Sequence, residues 1–170
     1  MNAKRLLLIG GTAIGLIASV VAVAQTQTNG IDQVRKQWVQ AFNAKDSQAL
    51  RDLYDQNAVL MPPTGERIVG KEKITEYFGQ MFASASRLTM NPESDRSDSS
   101  GDLGFDGGHY EETVVTGGGI RGAIIRGAVI QGGGGTQSVH RGNYLVVLKR
   151  LTGKWLIVQQ ATTEVPQTGK

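Results

Sequence analysis

The sequence predicts an α+β fold, in which three helices in the first half of the chain cover one face of a curved antiparallel sheet formed by the second half. Two observations support this prediction. Between residues 31 and 82, apolar residues recur at three- and four-residue steps, which is typical of amphipathic helices. From about residue 88 onward, short β-branched or aromatic runs alternate with turn residues, which is typical of strands.

The first 24 residues are predicted to be a secretory signal peptide. Lys4 and Arg5 precede an apolar run that ends in an A-x-A site at residues 22–24. Polar residues follow and favour cleavage after Ala24, so we expect a periplasmic or secreted mature protein. The alternative is an uncleaved membrane anchor, since the run is about long enough to span a bilayer.

Length and composition indicate how many domains the mature chain forms and which kinds of partner and cross-link it lacks. After a short linker at residues 25–30, residues 31–165 suffice for one domain with its own core, and residues 166–170 form a tail. The chain has no cysteine, which excludes disulfides and a lipid-modified N-terminal cysteine. Removing Lys4 and Arg5 from the 18 basic residues leaves 16 against 15 acidic ones, a formal charge of +1. Nucleic acid is therefore not an indicated partner.

Two helices are predicted to open the domain as a hairpin. The first covers residues 31–44, where one apolar stripe includes Trp38. Asp46 or Ser47 then supplies the N-cap oxygen of a second helix, whose apolar face runs on through Leu53 and Tyr54.

A strand pair and a third helix are predicted next. Residues 58–61 and 67–69 are short strands that flank a turn at Pro62-Pro63-Thr64-Gly65. The third helix covers residues 71–82, because its apolar residues form one broad face.

The second half is predicted to form antiparallel strands. Residues 144–150 and 154–163 pair as a hairpin, since the residues at 151–154 form a short turn. The acidic and serine-rich run at residues 93–102 is predicted to be a solvated turn between two strands.

Several of these motifs resemble the nuclear transport factor 2-like superfamily, particularly its small bacterial SnoaL-like and ketosteroid-isomerase-like members. The resemblance covers nearly all of residues 31–165. It is carried by residues 38–46, Leu53-Tyr54, Ala58-Val59-Leu60, Gly65, residues 69–74, Gly108-His109-Tyr110, residues 142–147 and Gly153-Lys154-Trp155. It implies a cone-shaped, cystatin-like fold: a strongly curved antiparallel sheet packed against three N-terminal helices, with an apolar pocket at one end and frequent homodimerisation through the sheet.

The resemblance does not bring a complete set of reacting groups. In the ketosteroid-isomerase branch, a tyrosine hydroxyl on the first helix contacts the substrate carbonyl, and its position falls here on Trp38, which lacks a titratable hydroxyl. The proton-shuttling aspartate of that branch falls on Pro62, and its oxyanion-hole acid falls near Asn143, whose amide can donate. The epoxide hydrolases of the superfamily need an Asp-Arg-Asp arrangement of side chains. The residues available here are Arg67, Asp102, Asp106 and Arg141, and no sequence spacing links them into such an arrangement.

The candidate catalytic residues are His109, His140 and Asn143. The two histidines are the only ones in the chain and are its best titratable bases near neutral pH. If their strands are neighbours, the two imidazoles approach each other in the cavity, and Glu111 would complete a conceivable metal site. No tight motif supports such a site, so neither a metal nor a cofactor is predicted. Glu111 and Glu112 point to opposite faces of one strand, and only one of them can face inward.

A pocket for a small hydrophobic molecule is predicted from aromatic and methionine residues. Such residues usually pack in a core, and some of them must also face any cavity. The predicted lining residues are Trp38, Tyr54, Met61, Tyr77, Met81 and Tyr110.

The glycine-rich insertion at residues 117–135 departs from the family pattern. It contains a near-repeat of five residues, which matches neither a helix nor a strand. Three interpretations remain open: a hairpin extension without its own role, a lid over the pocket mouth, or a contact with a partner or membrane surface.

Three functions follow from these observations. The first is an exported, non-catalytic domain that binds a small molecule in an apolar pocket. The second is an isomerase, lyase or cyclase-like enzyme that uses a pocket histidine. The third is a protein-interaction module that acts through the glycine-rich insertion.

Overall fold

The computed structural model describes residues 30–117, 124–125, 128–129 and 135–166. The predicted signal peptide lies outside these residues, as does most of the glycine-rich insertion. Within the insertion, β5 (Ile124–Ile125) and β6 (Ala128–Val129) pair as two short antiparallel strands. No helix in the described part of the chain is long and apolar enough to cross a membrane.

The three predicted helices are present. Helix α1 is described over residues 30–43, α2 is Ser47–Arg51 and α3 is Lys71–Ser84. Asp46 is the N-cap of α2, and its carboxylate accepts hydrogen bonds from the backbone N–H groups of Gln48 and Ala49.

The second helix is shorter than predicted, and the predicted helical positions of Leu53 and Tyr54 are wrong. Helix α2 ends at Arg51, and Tyr54 opens strand β1 (Tyr54–Met61). Long-range pairing outweighs the local apolar pattern here, because Ile157 donates its backbone N–H to the Leu53 carbonyl at 2.8 Å.

A six-stranded curved sheet forms the second layer. Its strands lie in the order β2-β1-β8-β7-β4-β3. The sheet is mixed rather than purely antiparallel, because β1 runs parallel to β8 while every other neighbouring pair is antiparallel. The predicted β1–β2 and β7–β8 pairs are confirmed. The remaining strands are β2 (Ile68–Val69), β3 (Arg87–Ser100), β4 (Leu103–Thr116), β7 (Thr136–Leu151) and β8 (Lys154–Glu164).

The acidic and serine-rich run at residues 93–102 is not the predicted turn. Most of it continues strand β3 as far as Ser100, and the turn is confined to Gly101 and Asp102. Each half of the run pairs with β4, from Glu93 opposite His109 to Ser100 opposite Leu103. Backbone pairing with a long neighbouring strand thus outweighs the low strand propensity of these residues.

A β-bulge in β8 changes which side chains face the helices. Val147 of β7 pairs with Gln159, whereas the next residue, Leu148, pairs with Ile157, so Val158 is the extra residue. Before the bulge Trp155 and Ile157 are buried, and after it Gln160 is buried. A bulge re-aims the following side chains in this way.

The core lies between the helices and the inner face of the sheet. Phe42, Phe78 and Phe82 join the two long helices through edge and stacked ring contacts with centroids 5.3–6.2 Å apart. Lys45 reaches the end of α3, where its ammonium donates to the carbonyls of Phe82, Ala85 and Ser86. These contacts hold α1 and the residues that follow it against α3.

Candidate functional site

A cavity with two adjoining lobes lies between the helices and the inner face of the sheet. The inner lobe, of about 50 Å³, lies beside the start of α1, and the outer lobe, of about 230 Å³, lies beside α3. Both lobes are lined by Trp38, Met90, Tyr110, Gln160 and Thr162. The two lobes therefore adjoin at these five side chains.

The Gln160 amide is the polar group shared by the two lobes. Its side chain is buried, with 5% of the residue exposed. The Trp38 indole can only donate, and it donates to the Tyr54 hydroxyl at 2.9 Å. Tyr54 in turn donates to Gln160 Oε1 at 2.5 Å. This chain fixes the orientation of the amide, so the Gln160 NH₂ group faces the cavity.

The NH₂ group of Gln160 has no hydrogen-bond partner among the described residues. The bulge at Val158 places it there, because regular alternation from Ile157 through Val158 would point the side chain at position 160 to the outer face. An amide donor that faces a largely apolar cavity without a protein partner can donate to a ligand oxygen that enters the cavity.

A buried carboxylate network closes the inner lobe. Asp106 is 2% exposed and accepts hydrogen bonds from Arg35 at 2.9 Å, Ser94 at 2.5 Å and Tyr144 at 3.2 Å. Arg35 also pairs with Asp32 on the same helix. Burial and the negative charge of Asp106 raise the pKa of Tyr144 to about 12. The Asp106 carboxylate thus accepts three hydrogen bonds from protein side chains, and Tyr144 stays neutral at physiological pH.

Glu112 is the charged residue that lines the outer lobe. Burial raises the pKa of its carboxyl, with a smaller opposing effect from His140 and a further increase from Glu164. Tyr110 is similarly affected: burial and the charges of Glu112 and Glu164 raise its pKa to about 12. The outer lobe of the cavity is therefore acidic.

The predicted pocket residues divide into two groups. Trp38, Tyr77, Met81 and Tyr110 line the cavity. Tyr54 is fully buried in the core behind Trp38, and Met61 is not among the lining residues of either lobe. Met61 follows Leu60, which does line the outer lobe, so strand alternation turns it to the opposite face.

The structure does not bring the three candidate catalytic residues together. His109 and Asn143 are paired across β4 and β7 on the outer face of the sheet, and both are exposed. His109 contacts the carboxylates of Glu93 and Asp95 there. His140 is opposite Glu112 on the inner face, with Nδ1 2.7 Å from Glu164 Oε1. The two histidines therefore lie on opposite faces of the sheet, and the predicted approach of their imidazoles is wrong.

The structure also locates the other residues to which the family resemblance pointed. Trp38 has its indole N–H committed to Tyr54, and Pro62 lines the outer lobe without a base. An Asp-Arg-Asp series does exist, but through residues that sequence spacing did not link: Asp32, Arg35 and Asp106. Among its two carboxylates, Asp106 alone lines the cavity. Among the described residues, no cluster of three histidine, aspartate or glutamate side chains could hold a metal ion.

Sequence reasoning missed the polar residues of the site: Arg35, Asp106, Glu112, Tyr144 and Gln160. A signal existed for Glu112, because alternation allows only one of Glu111 and Glu112 to face inward. Arg35 lies one residue from Val34 on the apolar stripe of α1 and was a second available signal. No such signal existed for Gln160, since a bulge at Val158 is not visible in the alternation of residues 154–163.

Comparison with known proteins agrees with this architecture. Residues 35–155 match the SnoaL-like domain. No match was found among curated proteins. Among solved structures, a nuclear transport factor 2-like superfamily protein from Salmonella enterica has a TM-score of 0.67 at 15% identity, covering 85% of this chain and 95% of its own.

Two further structures share the fold at low identity. A ketosteroid isomerase-like protein from Erwinia carotovora has a TM-score of 0.64 at 19% identity, covering 82% of this chain and 97% of its own. A putative dehydratase of the NTF2-like family from Streptomyces avermitilis has a TM-score of 0.65 at 12% identity, covering 84% and 98%. At these identities the likeness concerns the fold alone. Since the family match spans residues 35–155, the chain belongs to the SnoaL-like domain family, with a fold similar to that of nuclear transport factor 2-like proteins.

Proposed function

We propose that the protein binds a small, largely apolar organic molecule in the two-lobed cavity, with the Gln160 amide donating a hydrogen bond to an oxygen of the ligand. The observation that carries this proposal is the NH₂ group of Gln160, a residue that is 5% exposed, which faces both lobes with no partner among the described residues. Convergent polar groups in an apolar cavity are typical of ligand sites.

The walls of the cavity supply the affinity in this proposal, and Gln160 supplies the selectivity. Aromatic and aliphatic side chains dominate both lobes, so burying each CH₂ group of a ligand contributes about 0.8 kcal/mol. A ligand without an acceptor leaves the Gln160 donor unpaired, at a cost of about 1–3 kcal/mol. Ligands with a carbonyl or hydroxyl oxygen are therefore favoured over hydrocarbons of equal size.

Binding without catalysis is the activity we propose. The alternative enzyme hypothesis relied on a pocket histidine with Asn143, and of those residues His140 alone lies on the cavity side of the sheet. His140 is engaged at both ring nitrogens, by Glu164 and Ser138. No arrangement in the described residues favours that mechanism over binding.

Two probes of matched shape test the proposal. Equilibrium dialysis would compare 2-acetylnaphthalene, which has a carbonyl acceptor, with 2-ethylnaphthalene, which has none. We expect the ketone to bind about tenfold more tightly to the wild-type protein. Failure of both probes to bind would overturn the proposal, and equal affinity for both would remove Gln160 from it.

Two variants isolate the Gln160 donor. Gln160→Glu keeps an acceptor for Tyr54 and removes the NH₂ group, and Gln160→Met removes both without adding charge. Either change should abolish the preference for the ketone while binding of 2-ethylnaphthalene persists. Gln159→Glu is the matched control, since Gln159 is exposed on the same strand and should leave both affinities unchanged.

We also propose that binding takes place outside the cytoplasm, on the basis of the basic residues, apolar run and A-x-A site before Gln25. Intact-mass analysis of protein recovered from the periplasm or medium should give a chain that begins at Gln25. Recovery of the full-length chain in the membrane fraction would instead support the anchor alternative.

A further inference from the structure

Building on the proposed function, we propose that the outer lobe is a site for an organic ammonium group, so that the ligand is an apolar molecule carrying a positive charge. The ammonium would lie against the Glu112 carboxylate and the aromatic rings that line the same lobe. This assigns a ligand class to the cavity and a role to Glu112, and both rest on the cavity being a binding site.

The charge of the outer lobe supports this assignment. Among the described residues that line it, Glu112 is the only charged one. Glu164 adds negative charge beside Glu112, and Glu66 adds negative charge near Tyr77. His140, a basic residue that interacts electrostatically with Glu112, already contacts the Glu164 carboxylate at 2.7 Å. A ligand that enters this lobe therefore experiences a negative potential.

Glu112 differs from its neighbour Glu111 in having no partner. Glu111 accepts two hydrogen bonds from the Arg141 guanidinium, at 2.6 and 2.9 Å, on the outer face. Glu112 has neither a hydrogen bond nor an ion pair within the described part of the chain. A partly buried carboxylate of this kind is stabilised by any cation that reaches it.

Aromatic rings surround the space beside this carboxylate. Trp38, Phe42, Tyr77, Phe78 and Tyr110 all line the outer lobe. The negative charge of Glu112 is close enough to both Tyr77 and Tyr110 to help raise their pKa values. Electron-rich rings attract a partly desolvated ammonium by about 0.5–2 kcal/mol. Rings combined with an unpaired carboxylate favour a cation over a neutral or anionic group.

Three probes of matched size test this inference by isothermal titration calorimetry at neutral pH. They are 2-(naphthalen-2-yl)ethylamine, which is cationic, 2-(naphthalen-2-yl)ethanol, which is neutral, and 2-naphthylacetic acid, which is anionic. We expect the amine to bind about tenfold more tightly than the alcohol, and the acid to bind most weakly. An alcohol that binds as tightly as the amine would overturn the ammonium site while leaving the proposed function intact. If no probe binds, the proposed function itself fails.

A pair of variants assigns the preference to Glu112. Glu112→Gln should weaken binding of the amine about tenfold and change binding of the alcohol by less than about twofold. Glu111→Gln, the adjacent carboxylate on the outer face, should change neither affinity. Retained alcohol binding shows that the Glu112 variant is folded. An unchanged affinity for the amine in that folded variant would contradict the inference, and the ranking of probes in the wild-type protein tests it independently of any variant.

Discussion

The Tyr54 hydroxyl donates a hydrogen bond of 2.5 Å to Gln160 Oε1, joining two residues that are 106 positions apart. This bond links β1 to the end of β8 beyond the bulge. The Tyr54 hydroxyl oxygen also accepts a hydrogen bond from the Trp38 indole N–H, so this one hydroxyl links helix α1 to the sheet. Complete burial raises the pKa of Tyr54, which keeps this hydroxyl protonated and able to donate.

Replacing Tyr54 with phenylalanine should destabilise the protein by about 1–3 kcal/mol, because the Trp38 donor and the Gln160 acceptor both lose their partner in a buried site. Urea unfolding followed by tryptophan fluorescence measures the change. Tyr77→Phe is the control, since no partner of the Tyr77 hydroxyl lies within the described residues. Equal losses in the two variants would show that the hydroxyl chain is not stabilising.

Replacing Asp106 with asparagine should destabilise the protein by about 2–4 kcal/mol, since Arg35 then loses its buried counter-charge. The exposed Asp102–Arg150 pair provides a matched comparison, with its oxygen and nitrogen 2.8 Å apart. Asp102→Asn should cost less than about 1 kcal/mol, because solvent screens that pair. Thermal unfolding of the two variants side by side would contradict this view if the Asp102 variant were the less stable.

Two glycines should respond to alanine with opposite signs. A Cβ at Gly142 would lie 1.8 Å from the Thr163 carbonyl oxygen and 2.7 Å from the Tyr110 ring, so Gly142→Ala should destabilise the protein by at least about 1–3 kcal/mol. At Gly79, on α3, a Cβ meets nothing within 4 Å, and Gly79→Ala should stabilise by up to about 1 kcal/mol through helix propensity. Chemical denaturation of both variants gives the two signs. Stabilisation by alanine at position 142 would show that both the Thr163 backbone and the Tyr110 ring move away freely.

Alkaline pH should destabilise the protein through its tyrosines. All four are raised above the ordinary pKa of 10, Tyr110 and Tyr144 to about 12. A raised acid pKa in the folded state contributes stability that is fully present below the unfolded pKa of about 10 and is lost as pH rises towards 12. Ultraviolet titration of tyrosinate should show no group that ionises with an ordinary pKa before unfolding begins. A tyrosine that titrates normally in the folded protein would contradict this prediction.

The local sequence pattern correctly predicted those helices and turns whose position is set by their own residues. Helix α3 begins at Lys71 as predicted, and the hairpin turn at residues 152–153 separates β7 from β8. The local pattern failed where pairing with a strand distant in sequence determines the secondary structure. Tyr54 continues an apolar helical stripe, yet pairing with β8 places it in a strand. Residues 93–100 have low strand propensity, yet β4 holds them in the sheet.

The candidate site was predictable in its apolar walls and not in its polar groups. Trp38, Tyr77 and Met81 follow from helical periodicity, because the faces of α1 and α3 turn towards the sheet. Gln160 and Asp106 depend on strand register and on side chains far away in sequence. Neither property is encoded in a short window of residues.

The single extra residue at Val158 has a consequence for how this fold can change its ligand. Straightening the bulge without removing a residue would shift the strand beyond Ile157 by one position, so that Gln159 and Ala161 would face the cavity in place of Gln160 and Thr162. The recognition chemistry of the cavity can thus be exchanged by a shift of strand register, without substituting any lining side chain. Diversification in such a scaffold is therefore accessible through the gain or loss of a bulge as well as through substitutions.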